Sequence, residues 1–480
     1  MLFSSKVTVD LNRIQPRFPW TLIYRFMAAR FDRARCQALL DERIAAGVVH
    51  EPWLRSPRLD DDGPLLADEG LFALPESRWG VSIKCYSDRQ RSRLAAVWEA
   101  ELDEDSLPSV TAMLRDGLRG DDPALFRAEH DDLPPQLLDV LMAEEPELPI
   151  VWPVRRTPGL YRHEHASLLF VSETTSLLID PLSPLLGLSG LQEVAAELSG
   201  SLDAIAITHS HGDHWHLPSL LTRLPAAETP VLVPSVPRVN VLTPIDFARD
   251  LTLAGHAGAR PVGWGETIRI GDIEIDVLPF FGEQPTRDAP GAPAGVRSYG
   301  NCYRIQTPQL SAIVLVDSGA DPDGSMIDVL AQSRLQRGPC DVVLSCLREF
   351  ASPFFGGLIT YWPTLSFARL SQLYRELQTN GLPFTTAGPV GMAQACRAVG
   401  AAYALGYAHG FNGMGNAIED IGWGGGEPSE RAATIALARE LQRLGAVTKA
   451  LDWRCGDGFH LTNGRARLSR VVERRRAAVP

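Results

Sequence analysis

Ala204-Ile205-Ala206-Ile207-Thr208-His209-Ser210-His211-Gly212-Asp213-His214 is the stretch that decides how this chain of 480 residues is read. Its first half is apolar and partly β-branched, the pattern of a buried strand. Its second half sets four metal-ligand side chains within six positions. A strand that runs straight into such a loop holds those side chains at a fixed place. His209 and His211, two apart, can converge on one ion, while the chain turns at Gly212 and sends Asp213 and His214 toward a second. Four ligand-type residues this close together seldom serve packing, so a two-metal site is expected here.

Outward from that loop, the chain beyond Pro146 reads as a series of short apolar strands. They are expected at 166–171, 176–180, 204–208, 231–233, 273–278, 302–305, 313–317 and 342–346, with Gly271-Asp272 as a hairpin turn. Helices are expected at 366–377 and 429–444. Strands followed by covering helices predict an α/β chain with a layered αββα sandwich. The residues before it read differently. Helical apolar spacing runs through 22–46, 90–101, 107–118 and 137–142, interrupted by one strand at 80–87. We therefore expect a helix-rich N-terminal α+β domain over 1–148, serving substrate, partner or dimerisation, and a catalytic domain over 149–480. The boundary falls at Glu147-Leu148-Pro149. The acidic stretch 101–105 and the turn Asp60-Asp61-Asp62-Gly63 read as solvated faces.

Composition narrows the function. Hydrophobic residues make up 45% of the chain and the net charge is −12. That balance speaks against a nucleic-acid binder, which needs a clustered basic face. No apolar run reaches bilayer length and Met1 to Trp20 has no signal-type apolar core, so a cytoplasmic protein without a membrane partner is expected. The seven cysteines are scattered and never form a Cys-x-x-Cys pair. This argues against a disulfide framework and against an iron–sulfur cluster.

The run from His209 to His214 resembles the His-x-His-x-Asp-His signature of the metallo-β-lactamase superfamily, a resemblance extending over most of residues 150–480. The resemblance implies that Asp180, closing an early strand, supports the site. Asp317, at the end of a later strand, would bridge both metals, and His409, after the apolar run 401–408, would be the final ligand. Where hydrolases of this superfamily usually offer a histidine, this chain reads Pro279-Phe280-Phe281-Gly282-Glu283-Gln284-Pro285. Glu283 is expected in the histidine's place, with His256 as the weaker alternative because it comes before the 267–278 hairpin. The result is four imidazoles (His209, His211, His214, His409) and three carboxylates (Asp213, Glu283, Asp317). Carboxylate-rich sets favour harder, redox-active ions, so two iron ions are expected rather than two zinc ions.

That ligand set, the Phe-Phe-Gly-Glu-Gln-Pro segment and Gly159-Leu160-Tyr161-Arg162-His163-Glu164-His165-Ala166 resemble the di-iron β-hydroxylases of nonribosomal peptide and antibiotic biosynthesis, of the chloramphenicol-pathway type. The resemblance implies an O2-dependent monooxygenase that hydroxylates, at the β-carbon, an amino acid tethered to a carrier protein. His209, His211 and Glu283 would hold one iron, Asp213, His214 and His409 the other, with Asp317 between them. Glu283 and Asp317 would be the catalytic carboxylates. The reaction needs an external electron donor, since the chain shows neither a flavin motif nor cluster spacing. A di-zinc hydrolase acting on a lactone or thioester stays open, as does a metal site that merely holds the fold; a homodimer is compatible with either enzyme. His216 is expected to begin the next helix. His163 and His165 are expected to alternate on a strand, one facing the core and one open to a substrate-pocket role. The glycine runs 410–415 and 422–426 read as loops without phosphate-binding context. Arg155, Arg156 and Arg162 are weak candidates for carrier docking.

Overall fold

The computed structural model describes residues 7–14, 18–74, 77–86, 94–119, 123–130, 157–163, 165–182, 202–223, 228–236, 238–242, 245–282, 300–321, 323–350, 354, 362–379, 381, 384–408, 429–454 and 456–469. Its strands, in chain order, are β1 (Val7–Arg13), β2 (Trp79–Tyr86), β3 (Leu94–Leu102), β4 (Gly159–Arg162), β5 (Leu168–Val171), β6 (Ser176–Ile179), β7 (Ala204–Ala206), β8 (Val231–Pro234), β9 (Ala259–Val262), β10 (Thr267–Ile270), β11 (Ile273–Pro279), β12 (Asn301–Gln306), β13 (Ser311–Val316), β14 (Ala320–Asp321), β15 (Gly324–Ser325), β16 (Val342–Ser345), β17 (Tyr403–Gly406), β18 (Lys449–Leu451), β19 (Gly458–Thr462) and β20 (Arg465–Ser469). Two sheets dominate. One has eight strands in the order β20-β19-β4-β5-β6-β7-β8-β9, the other seven in the order β10-β11-β12-β13-β16-β17-β18.

Side-chain alternation explains how the layers stack. On β5, Leu168 and Phe170 enter the core between the two sheets, where they join Ile275, Ile305 and Val314. Leu169 and Val171 point the other way, into a second core shared with the helix Leu217–Arg223 and with β1 and β2. Successive residues of a strand face opposite sides, so a strand covered on both faces must be apolar throughout. The helices Met326–Arg337, Gly388–Val399 and Glu430–Arg443 cover the seven-stranded sheet through Leu330, Met392 and Leu437. The arrangement is the expected αββα sandwich. Ser366 and Ser429 cap the helices Phe367–Gln378 and Glu430–Arg443 by accepting from Arg369 N and Ala432 N, which places both helix starts where the sequence reading put them.

The N-terminal part differs from expectation in β3 and β1. Residues 94–101 of the expected helix 90–101 lie in β3 (Leu94–Leu102), paired with β2 from Trp79 opposite Leu102 to Tyr86 opposite Leu94. Ala96, Trp98, Ala100 and Leu102 alternate along it and pack on the second core. The free edge of β2 and that period-two apolar face outweigh the helix preference of its alanines and glutamates. β1, unexpected from the sequence, completes this antiparallel sheet on the other side of β2. The stretch 137–142 lies outside the described residues. Helix Phe18–Ala28 packs through Phe18, Leu22 and Phe26 against Trp362 and Phe367, so a third core joins N-terminal and C-terminal residues. Trp362 Nε1 donates to the Pro19 carbonyl across that contact, at 2.8 Å.

Six described cysteines are buried and unbridged; Cys455 lies outside the described residues. Among the described residues no helix is long and apolar enough to cross a membrane.

Candidate metal centre

Both sheets deliver their polar residues to one place. β6, β7, β8 and β9 run parallel in one sheet, and β13, β16, β17 and β18 run parallel in the other. Asp180 follows β6, His209 to His214 follow β7, and Asp317 follows β13. Thr208 O accepts from Asn301 N at 2.7 Å, tying the loop after β7 to the opposite sheet. His214 N and Trp215 N both donate to the His211 carbonyl, at 2.9 and 2.7 Å, which closes the loop into a turn before the helix Leu217–Arg223.

Two groups of ligand atoms result. His209, His211 and Asp317 form one, and His165, Asp213 and His214 the other, with the ligand atoms within each group lying within 4.8 Å of one another. His209 Nε2 is 2.9 Å from His211 Nδ1 and 3.7 Å from Asp317 Oδ2. The same Asp317 oxygen is 3.1 Å from His214 Nε2. One carboxylate therefore reaches both groups, the geometry a bridging ligand requires.

The outer nitrogens of two histidines are held from behind. Asp180 Oδ2 takes a hydrogen bond from His214 Nδ1 at 2.8 Å, and Asp180 also accepts from Thr208 Oγ1 at 2.5 Å and Thr208 N at 2.8 Å. Thr208 Oγ1, its proton committed to Asp180, accepts from His209 Nδ1 at 3.0 Å. These bonds assign the protons to Nδ1 and leave both Nε2 lone pairs facing the centre. His214 Nε2 is fully buried and has no hydrogen-bond partner in acceptable geometry among the described residues.

Electrostatics agree with the arrangement. Burial pushes the Asp213 carboxyl up, but His214, His165 and His211 outweigh it and hold it well below the usual range. Asp317 is likewise lowered, burial being overcome by His214. Burial, with His214 and His211, keeps His209 neutral far below its ordinary value. His214 is raised well above, since Asp213, Asp317 and Asp180 together overcome its burial. Asp180, wholly buried, is raised by desolvation despite His214 and Thr208. Ionised carboxylates and a neutral imidazole around a point that attracts positive charge are the protonation states metal ligation demands. The donor set, with Asp317 reaching into both groups, fits a pair of cations.

The backbone is strained around this point. Seven non-glycine residues among those described have left-handed φ, and four of them border the centre: His165 (50°), Asp180 (42°), Val316 (50°) and Ala408 (55°). Val316, β-branched, is the most costly of these, and it coincides with an irregular register between β13 and β16. Each such residue costs about 1–3 kcal/mol and persists only where surrounding contacts fix it. At Val316 the kink turns the chain so that Asp317 leaves the sheet beside His214.

His165, expected to alternate with His163 on a strand, sits instead in the bend between β4 and β5, 2% exposed, with Nε2 3.0 Å from Asp213 Oδ2. Its carbonyl accepts from Ala408 N at 3.3 Å. His256, the alternative to Glu283, is buried elsewhere, its Nε2 bonded to the Thr229 carbonyl at 2.9 Å, and belongs to neither group. His216 caps the helix Leu217–Arg223, its Nδ1 accepting from Ser219 N at 3.2 Å. Glu283 and His409 lie outside the described residues, as do the glycine runs 410–415 and 422–426 and Arg155 and Arg156. Arg162 is turned inward onto Glu430 and the Trp453 carbonyl. Phe280 packs on His209 with ring centroids 5.1 Å apart. At Gly282, with φ 85°, a Cβ would fall 2.0 Å from the Thr385 carbonyl oxygen and 3.0 Å from Gly319 N in the turn after Asp317.

Residues 175–329 match the model of the beta-lactamase superfamily domain. Among solved structures, a mutant of CmlA beta-hydroxylase superposes with a TM-score of 0.57 at 16% identity, covering 98% of this chain and 99% of that one. CmlA, a diiron beta-hydroxylase from Streptomyces venezuelae, superposes with a TM-score of 0.55 at 15% identity over the same shares. Likeness at this identity establishes a shared fold along nearly the whole chain. No curated protein matches it in sequence. The likeness of residues 175–329 to the beta-lactamase superfamily domain and of the chain to these structures is one of fold, the αββα sandwich of the metallo-β-lactamase type.

Proposed function

We propose that this chain is a di-iron, O2-dependent oxygenase that hydroxylates an amino acid tethered to a carrier protein, at the β-carbon. The observation that carries the reading is Asp317 Oδ2 standing between His209 Nε2 and His214 Nε2, with Asp213 adding a second carboxylate. Glu283 as a third would enrich the site in anionic oxygen, which suits iron better than zinc. The likeness to CmlA supports the reading through the fold the two share.

In this reading His209, His211 and Glu283 would hold one iron and Asp213, His214 and His409 the other, with Asp317 available to both; His165 stands beside Asp213. The iron pair would supply the chemistry of O2 reduction and C–H oxidation. The balance is one O2, two electrons and two protons consumed for each C–H converted to C–OH, with one water released. The electrons come from a separate reductase. The protein's own part is to fix the ligands. Asp180 and Thr208 hold His214 and His209 by their outer nitrogens, Phe280 covers His209, and the left-handed turns at Val316 and Ala408 set the ends of two strands.

The test is turnover with reductant and O2 on aminoacyl carrier proteins. The proposal expects O2 uptake and product heavier by one oxygen atom. Thioester or lactone cleavage without O2 uptake would make the protein a di-zinc hydrolase instead. Glu283→His should convert the site toward zinc and abolish oxygenation; full retained oxygenation in that variant would remove Glu283 from the site.

A further inference from the structure

Val316 and Ala408 border the centre in the left-handed region, at φ 50° and 55°. Val316 stands directly before Asp317 in the chain and Ala408 directly before His409. Neither residue has the freedom of glycine or the local hydrogen bonding of asparagine, so each would return to an ordinary φ unless its peptide groups were held. What holds these two turns is part of how the centre is built.

β16 lies between β13 and β17 in the seven-stranded sheet, so its end separates the two turns. Ser345 and Cys346 occupy that end, and both are buried. On one side the Val316 carbonyl accepts from Cys346 N at 2.9 Å and from Ser345 Oγ at 3.3 Å. On the other side Tyr407 N donates to the Ser345 carbonyl at 3.1 Å, and the Cys346 thiol donates to the Ala408 carbonyl at 3.5 Å. Arg348 N donates to the same sulfur at 3.4 Å. Both capacities of the thiol are thus in use.

Ala408 passes the contact on. Its N–H donates to the carbonyl of His165, a member of the second ligand group, at 3.3 Å. Ser345 and Cys346 therefore tie the turn before the shared Asp317 carboxylate to the turn that meets His165. Any residue could supply the backbone bonds of this link, but the bonds from Ser345 Oγ and Cys346 Sγ need a hydroxyl and a thiol. A buried carbonyl that loses its donor is costly, and the cost falls on a turn that is already strained.

We propose that Ser345 and Cys346 are positioning residues of the metal centre, a crossbar that holds Val316 and Ala408 in their left-handed turns and acts on the ligands through the backbone alone. The inference rests on the two-metal reading of the centre but not on iron or on oxygen chemistry, so a failure of oxygenation leaves it standing. The probe is cobalt(II), titrated into metal-free full-length protein and followed by its absorption spectrum and by competition with a chelator. The parent should take up about two ions per chain. Cys346→Ala should weaken cobalt binding about tenfold or more. Cys346→Ser, which keeps a donor, should stay near the parent. Adding Ala408→Gly to Cys346→Ala should recover most of the lost affinity, since glycine keeps the turn without being held, whereas a general loss of packing would not be recovered. The parent spectrum should lack an intense near-ultraviolet sulfur-to-cobalt band. Unchanged affinity in Cys346→Ala, or the same loss with and without Ala408→Gly, would overturn the crossbar. A sulfur-to-cobalt band that disappears in Cys346→Ser would overturn it too, by making Cys346 a ligand. A parent that takes up no cobalt would sink the two-metal reading itself.

Discussion

The two ligand groups of the centre are built differently. His209, His211 and Asp317 come together from two strand ends in opposite sheets, with His209 backed by a hydroxyl that is itself oriented by Asp180. In the other group His214 is backed directly by the buried Asp180 carboxyl, His165 contacts Asp213, and the left-handed His165 and Ala408 are joined by a backbone hydrogen bond. Asp180 thus stands behind both groups, and left-handed residues flank both, Val316 beside Asp317 in the first and His165 with Ala408 in the second. The second group is the more preorganised, and its ligands should hold their places with less help from an ion.

Removing the shared element should have the largest effect. Asp317→Ala takes a ligand from both groups at once, and metal content should fall from about two ions per chain to well below one, a greater loss than the roughly 10–100-fold typical of outer partners. Metal analysis after extensive dialysis checks this, and retention of both ions would refute the bridge. Asp180→Ala comes next. It leaves His214 Nδ1 and Thr208 without their buried partner, so metal affinity should fall roughly 10–100-fold and stability by about 1–3 kcal/mol. Competition with a chelator and chemical denaturation measure the two losses. His165→Ala breaks the symmetry between the groups: about one ion per chain should be retained tightly and the other released, and equal weakening of both would dissolve the distinction. Ala408→Gly should have the smallest effect. Relief of a left-handed alanine offsets the loss of a buried methyl group, so stability should change by less than about 1 kcal/mol. A thermal melt showing a much larger loss would mean that the methyl group, not the turn, matters at this position.

The same contrast explains what the sequence disclosed. Four of the described ligand-type residues sit within six positions, and their chemistry is visible without knowing the fold. Asp317 is legible only through the resemblance, which calls for a carboxylate closing an apolar strand such as 313–316. His165 could not be found in this way. It precedes the metal loop by a long stretch of chain, and its left-handed turn carries no glycine or asparagine to mark it. The signal that existed was the pairing of His163 with His165, which pointed to alternation rather than to a bend. The β3 segment failed for a physical reason of the same kind. Leu94-Ala95-Ala96-Val97-Trp98-Glu99-Ala100-Glu101-Leu102 satisfies both helical and strand periodicity, and only the neighbouring edge of β2 decides between them.

The claim on which the rest depends is that the centre is a carboxylate-bridged pair of irons. Metal analysis combined with Mössbauer spectroscopy of protein produced in iron-replete cells tests it most directly. The account predicts about two irons per chain in an antiferromagnetically coupled diferric pair, and loss of that coupling in Asp317→Ala. Stoichiometric zinc, or two irons without magnetic coupling, would contradict it.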